Sequence, residues 1–431
     1  MRPAQADTRA ASPLLWLAIA LPVAVHGLLL WQYTVNAPRL DDFAEILTFL
    51  PDWHAAGSLQ EQLAVLFRDY QNHRYVLYHA LLLAFGGIDF RTAAIAGNLA
   101  LPLLAGLLLW LSRRHPQRLE LWLVTPLLVF NLQAWRAMFW GPLGTTNLLY
   151  PAIGLLACWL ATLGARGVLA AAVTALLLTL SHGSGPLLFP VIAAYLWLQR
   201  QRQAPVVLTG WLALTAVVFT LYFLVFPLRS EAGYSSVGTA ELLANFFTRT
   251  GTMLQGFLAL LGSHLLYNDA SQPWKHQLAI ALGATELLWL GWLLQRGALR
   301  DSPALRLWLA FLLLVAASIA SGRVAYAGID QAMQGHYKLL NGMLLWLAIA
   351  ATLERYPRWA LPAVMLALAL YVAALAMFTG PVRSLQQALH DDVQQWQLTG
   401  KLAFIETRLY VKQPNQKIKA AIEGGFYDPA N

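Results

Sequence analysis

Cysteine is all but missing from this chain of 431 residues, with Cys158 standing alone inside an apolar stretch. An intramolecular disulfide is therefore impossible, and no zinc cluster can be assembled from thiolates. Charge is scarce as well: Asp, Glu, Lys and Arg make up 12% of the residues, about half the share found in soluble domains. A disordered, self-solvating chain and an ordinary soluble globule are both excluded by that poverty. The sequence has no Walker loop, no dinucleotide fingerprint and no HExxH helix, so nucleotide-driven transport is not expected of it. Ser181-His182-Gly183-Ser184-Gly185 has the outline of a nucleophile elbow, but His182 occupies the position that needs Gly and no strand precedes it. That segment reads as a turn.

What fills the chain is apolar. Hydrophobic residues account for 58%, with 17 Trp, 15 Tyr and 18 Phe, and the mean hydropathy is +0.54. Residues 14–35 are long enough, at about 1.5 Å per residue, to cross a hydrocarbon core of about 30 Å. No small-residue cleavage site follows them, and Asn36, Pro38, Arg39, Asp41 and Asp42 open a polar segment, so the run reads as an uncleaved span. The same reasoning places ten further spans at 92–111, 120–130, 147–163, 168–181, 187–198, 206–227, 276–295, 307–321, 338–353 and 359–378. The expected fold is all-α: a polytopic membrane protein of about eleven spans.

The net charge of +8 arises from Arg scattered between apolar runs, which speaks for membrane orientation and not for nucleic acid. With the N-terminus inside, Arg2, Arg9, Arg113, Arg114, Arg118, Arg166, Arg200, Arg202, Arg296, Arg300, Arg306, Arg355 and Arg358 all fall in short inner loops, against about four acids. The long loops 36–91 and 228–275 then lie outside, and with eleven spans so does the C-terminus. Within the first loop, 45–53, 58–70 and 75–85 are too short to cross and have the spacing of interfacial helices. Beyond a membrane domain of residues 1–380, residues 381–431 read as a short polar tail with an amphipathic stripe at Leu385, Leu389, Val393 and Trp396, too small for a core of its own. No internal repeat is detectable.

Candidate chemistry gathers on the outer side. Asp42 followed by Glu45 has the spacing of a capping box, and Asp41 beside it is open to act as a general base or metal ligand. His73-Arg74 closes the same loop, pairing a proton carrier with a group that grips phosphate in two places. Arg136, Arg323 and Lys338 add cations from three other loops, and together they suggest a shared anionic ligand. Each of them singly reads equally as an anchor to lipid headgroups. Glu286 lies in the middle of an apolar run, where a charge costs roughly 2.5 to 3.5 kcal/mol, and is expected to be protonated or paired. His26 and Asn98 read as interhelical hydrogen-bond partners.

This order of features resembles the GT-C (class C) superfamily of polytopic membrane glycosyltransferases, in particular its small bacterial members. The likeness runs over about residues 14–380. It rests on one span followed by Asp41-Asp42, on His73-Arg74 before the apolar helix 75–85, on the Gln- and Trp-rich segment from Gln133 to Trp140, and on Arg323 with His336-Tyr337-Lys338 before a span. The chain departs at Gln71-Asn72, where many small members have an acidic residue. It also lacks the Trp-Trp-Asp signature and large C-terminal domain of oligosaccharyltransferases, so en-bloc glycan transfer to protein is not implied.

The resemblance implies transfer of one sugar from a polyprenyl-phosphate carrier to a glycan, lipid or protein acceptor. Asp41, with Asp42 as understudy, would be the base, and His73, Arg74, Arg136, Arg323, Tyr337 and Lys338 would bind the donor phosphate. A divalent cation, Mg2+ or Mn2+, held by Asp41 fits a pyrophosphate donor and is unnecessary for a monophosphate. The implied location is a bacterial inner membrane with the site and the C-terminus periplasmic, in contact with membrane lipids, which the absence of Asn-x-Ser/Thr sequons also suits. The rival expectations are a lipid or solute transporter or flippase coupled through Glu286, and a scaffold that performs no chemistry.

Overall fold

The computed structural model describes residues 13–70, 73–199, 205–225, 247–267, 272–325 and 328–430. Residues 228–246 and 268–271 of the loop 228–275 lie outside the described residues, as do Arg2, Arg9, Gln71, Asn72, Arg200 and Arg202. Each of the eleven apolar runs is helical over most of its described residues. In chain order they correspond to α1 (Pro13–Tyr33), α5 and α6 (Phe90–Gly97, Ala100–Leu111), α7 (Arg118–Val129), α9 (Pro142–Ala161), α10 (Ala165–Thr179), α11 (Leu188–Leu198), α12 (Pro205–Phe219), α14 (Trp274–Gln295), α15 (Pro303–Ile319), α16 (Lys338–Arg355) and α17 (Ala360–Thr399). Among the described residues six helices are long and apolar enough to cross a membrane: 13–33, 90–114, 205–222, 274–295, 303–324 and 357–399.

Their packing is that of a membrane-embedded helical protein. Nearly every residue of α16 from Lys338 to Leu353 is buried, so this helix is the axis around which α7, α9, α14 and α15 pack. The outer helices instead leave large apolar side chains uncovered: Leu28 and Trp31 on α1, Val217 on α12, Leu288 on α14, and Leu361 and Val372 on α17. In water so much exposed hydrocarbon would drive aggregation, whereas lipid solvates it.

The first loop forms α2 (Asp42–Ala55), α3 (Leu59–Leu66), a two-residue antiparallel hairpin of β1 (Asp69–Tyr70) and β2 (His73–Arg74), and α4 (Val76–Phe85). On α2, Phe43, Ile46, Leu47 and Leu50 recur at helical spacing, and all four are buried. The capping box expected at Asp42 and Glu45 does not form: Asp41 precedes the helix without a side-chain cap bond, and Glu45 faces His79 and Arg68. Reciprocal capping occurs one helix later, where Ser58 accepts the amide of Glu61 and the Glu61 carboxylate accepts the amide of Gly57 at 2.7 Å. Spacing alone cannot rank the two, because Asp42 and Glu45 have stronger partners elsewhere in the fold.

The C-terminal segment is integrated, not appended. α17 continues through Pro381 for 40 residues, about 60 Å, roughly twice a hydrocarbon core. Gln386 ties its extension down, donating to the carbonyl of Phe139 at 3.0 Å and accepting the amide of Val35 at 3.3 Å. After α18 (Ile405–Tyr410), α19 (Pro414–Glu423) lies against α2, and Leu402, Ile418, Ala421 and Tyr427 share one hydrophobic cluster with the buried face of α2.

Candidate functional site

Residues 39–42 turn sharply after α1. Leu40 has φ +45°, a left-handed conformation that costs a non-glycine residue about 1–2 kcal/mol. The turn buries the side chain of Asp42 completely. One carboxylate oxygen of Asp42 accepts the amide of Arg39 at 3.0 Å and the indole N–H of Trp140 at 3.1 Å, while the other is buried without a hydrogen bond. Burial pushes its pKa well above the usual carboxylate range. The bond from Arg39 opposes that shift, Asp41 adds to it, and Trp140 and the Arg39 charge oppose it again. Of the two carboxylates, Asp42 is thus the deeper and the more strongly perturbed, and Asp41 is half-buried at the helix start.

Trp140 connects this carboxylate to a group of cations. The guanidinium of the buried Arg39 lies 4.9 Å from the Trp140 ring centre. Arg136, from the short helix α8 (Trp135–Met138), packs its stem on Gly335, where a Cβ would come within 2.9 Å of the Arg136 chain. Its Nε is buried without a hydrogen bond. That contact sets Arg136 beside His336 and Tyr337 in the turn before α16. Arg323 comes from the wide turn Ala320–Val324 that ends α15.

His336 feels all of these charges. Burial, then Arg323, Arg136, Arg39 and His182, bring its pKa down to about 3. His182, in the turn between α10 and α11, is likewise lowered to about 3 by burial and by Arg323. Its ring stacks on Tyr150 at 4.8 Å, and its Nδ1 accepts the amide of Ser184 at 3.1 Å. Burial raises the Tyr337 hydroxyl against the pull of Arg323. The result is three guanidiniums that stay charged at any relevant pH, with two neutral imidazoles and a phenol among them. Such a group can hold an anion with two or more negatively charged oxygens and donate hydrogen bonds to it.

The other candidates are placed differently. Arg74 is buried, bonds the carbonyl of Phe67 at 2.5 Å and lies 5.6 Å from the Tyr222 ring. Three residues on, the amide of Leu77 donates to the carbonyl of Leu180 at 3.2 Å and ties the start of α4 to the end of α10. The side chain of His73 lies outside the described residues. Lys338 is fully buried, with its ammonium on the carbonyls of Ser263 at 3.1 Å and Leu266 at 2.5 Å. It clamps the end of α13 (Thr250–Gly262) and does not face the arginines. Glu286 bonds His264 at 3.2 Å, and the second oxygen of Glu286 and the Nδ1 of His264 are both buried without hydrogen bonds. His26 and Asn98 bond each other at 3.0 Å.

Among the described residues no three His, Cys, Asp or Glu side chains gather as metal ligands. Asp42 accepts from N–H donors, the amide of Arg39 and the indole of Trp140, which compete with a cation for the carboxylate. Sequence reasoning missed His182, dismissed with its turn, and the parts played by Arg39, Trp140 and Tyr150. The single available signal was a His flanked by small residues between two apolar runs. Comparison with protein-family models, with curated proteins and with solved structures gives no significant match.

Proposed function

We propose that this chain is a membrane glycosyltransferase of the GT-C type, which moves one sugar from a polyprenyl-phosphate donor to a hydroxyl of a glycan, lipid or protein acceptor. In this reading the eleven helical runs all cross, the N-terminus is cytoplasmic, and Asp42 and the arginine group face the periplasm of a bacterial inner membrane. The acceptor oxygen attacks the anomeric carbon and the bond from that carbon to the phosphate oxygen breaks. The electron pair leaves with the polyprenyl phosphate, and the acceptor proton passes to Asp42, or to Asp41 at the rim. Arg39, Arg136 and Arg323 neutralise the departing phosphate. They bring the positive charge that a divalent ion would otherwise supply.

The observation that carries this reading is the Trp140 bridge, with a buried carboxylate on its N–H and a buried arginine on its ring, the same arginine whose charge acts on His336 together with those of Arg136 and Arg323. General base and anion cradle are thereby neighbours, as displacement at a phosphate-linked sugar requires. The test is incubation of the purified protein with radiolabelled polyprenyl-phosphate sugar and a hydroxyl acceptor. Asp42→Asn is expected to lower transfer by about 10²-fold or more while leaving the folded protein in the membrane. Full activity in both Asp42→Asn and Asp41→Asn would remove the proposed base.

A second reading has one observation in its favour, the buried His264–Glu286 pair with an open hydrogen-bonding site on each side chain. A transporter coupled through that pair would move lipid or solute across proteoliposomes without forming a new glycosidic bond, and Glu286→Gln would stop it.

A further inference from the structure

At the far end of α16 from the arginine group, an open cleft of about 450 Å³ is lined by Arg296, Arg355 and Tyr356. The helix of 18 residues has Lys338 at one end and Arg355 at the other, so the two sites stand about 26 Å apart. The cleft has a built floor. Arg296 lies over the Trp292 ring at 4.6 Å, and that ring is parallel to Tyr356 at 5.9 Å and 7°. Trp289 extends the shelf 4.9 Å from Trp292, and its indole N–H is fixed on the hydroxyl of Thr352 at 2.9 Å.

The second guanidinium is placed by backbone shape. Gly297 has φ +83°, and a Cβ there would come within 2.7 Å of the terminal nitrogen of Arg355. A side chain at 297 would displace that guanidinium and strain the turn as well. Among the described residues neither Arg296 nor Arg355 is paired with a carboxylate, and the nearby Glu354 is occupied by the amide of Leu299 at 2.9 Å. Beside the cleft, α14 continues as an uncovered apolar wall, with Leu288 74% exposed.

We propose that this cleft binds the phosphate headgroup of an anionic phospholipid, whose acyl chains run along α14 past Leu288. Two guanidinium forks suit the doubly bonded grip of a phosphate. An aromatic shelf belongs at headgroup depth, and basic pockets between spanning helices hold anionic lipids. A free phosphate would use the forks but has no use for the wall. The site shares no residue with the sugar-transfer reading and stands or falls apart from it.

The test titrates the full-length protein in detergent with dioleoyl phosphatidylglycerol, dioleoyl phosphatidylcholine or inorganic phosphate, and counts retained molecules by native mass spectrometry. Phosphatidylglycerol is expected to be retained and phosphatidylcholine lost. Arg296→Gln with Arg355→Gln is expected to weaken retention at least tenfold, while Arg300→Gln with Arg358→Gln, an equal loss of charge from exposed positions outside the cleft, leaves it unchanged. Gly297→Ala weakens retention with every charge in place. Equal weakening by the two arginine pairs would mean that net charge alone attracts the lipid, and would overturn the site. Inorganic phosphate that displaces the lipid at equal concentration would overturn the lipid assignment.

Discussion

Asp42 is pulled in two directions. Complete burial favours its neutral form, while the Arg39 amide, the Arg39 charge and the Trp140 indole favour the carboxylate. A base works only once it has lost its proton, so transfer should rise with pH through the elevated pKa of Asp42 and fall below it. Trp140→Phe keeps most of the packing and removes one bond to the ionised form. Its effect on the pKa is upward, so the acid limb of the rate profile is expected to move to higher pH than in the parent protein. Single-turnover rates measured across pH would reveal that displacement, and an unmoved limb would mean that Asp42 is not the titrating base. Within the arginine group His182 and His336, both with a pKa lowered to about 3 by burial and by Arg323, stay neutral where carboxylate deprotonation is followed.

Helices and turns carry the next level of consequence. The segment beyond α17 contributes Leu402, Ile418 and Tyr427 to the cluster that covers α2, and burial of three such side chains contributes on the order of 5 kcal/mol. Truncation after residue 400 is therefore expected to leave the membrane helices intact and to loosen α2, α3 and the turn that holds Asp42. Limited proteolysis should cut the truncated protein within residues 42–66 at a protein-to-protease ratio that spares the full chain. Equal resistance would mean that the first loop stands without its C-terminal cover.

That cover was not legible in the sequence, since a polar stretch with one apolar stripe looks the same whether the stripe meets lipid or protein. Pro381 also read as a boundary, although a proline inside a long helix removes a single hydrogen bond and α17 runs on through it. The apolar runs were legible because length and composition determine them. Arg136, Arg323 and the Asp pair stood out as scarce charges beside such runs. What pairwise spacing could not supply was the third dimension. Asp42 is the inner carboxylate because an indole 98 residues away meets it, and Lys338 is removed from the arginine group because two carbonyls of the 263–266 turn claim its ammonium.

For the whole molecule the decisive quantity is which ends of the bundle share a side of the membrane. Six helices are long enough to cross by composition, whereas the proposed function counts eleven crossings, because α7, α9, α10, α11 and α16 are shorter or more charged yet packed among the long ones. Between Arg300 and Lys401 lie α15, α16 and α17, so an odd number of crossings places those two exposed residues on opposite sides. The native chain suits the measurement, because its one cysteine, Cys158, is fully buried and should not react with a bulky reagent. Lys401→Cys is expected to react with a membrane-impermeant maleimide in spheroplasts, and Arg300→Cys only after permeabilisation. The arginine group shares the end of α16 that lies away from Arg355, so the same labelling assigns it to a face. If Arg300→Cys were the one labelled from outside, the carboxylate and its cations would face the cytoplasm, where a periplasmic acceptor could not reach them. If both positions reacted from one side, α16 would not cross, and the core helix of the bundle would have to be drawn as a buried, re-entrant element.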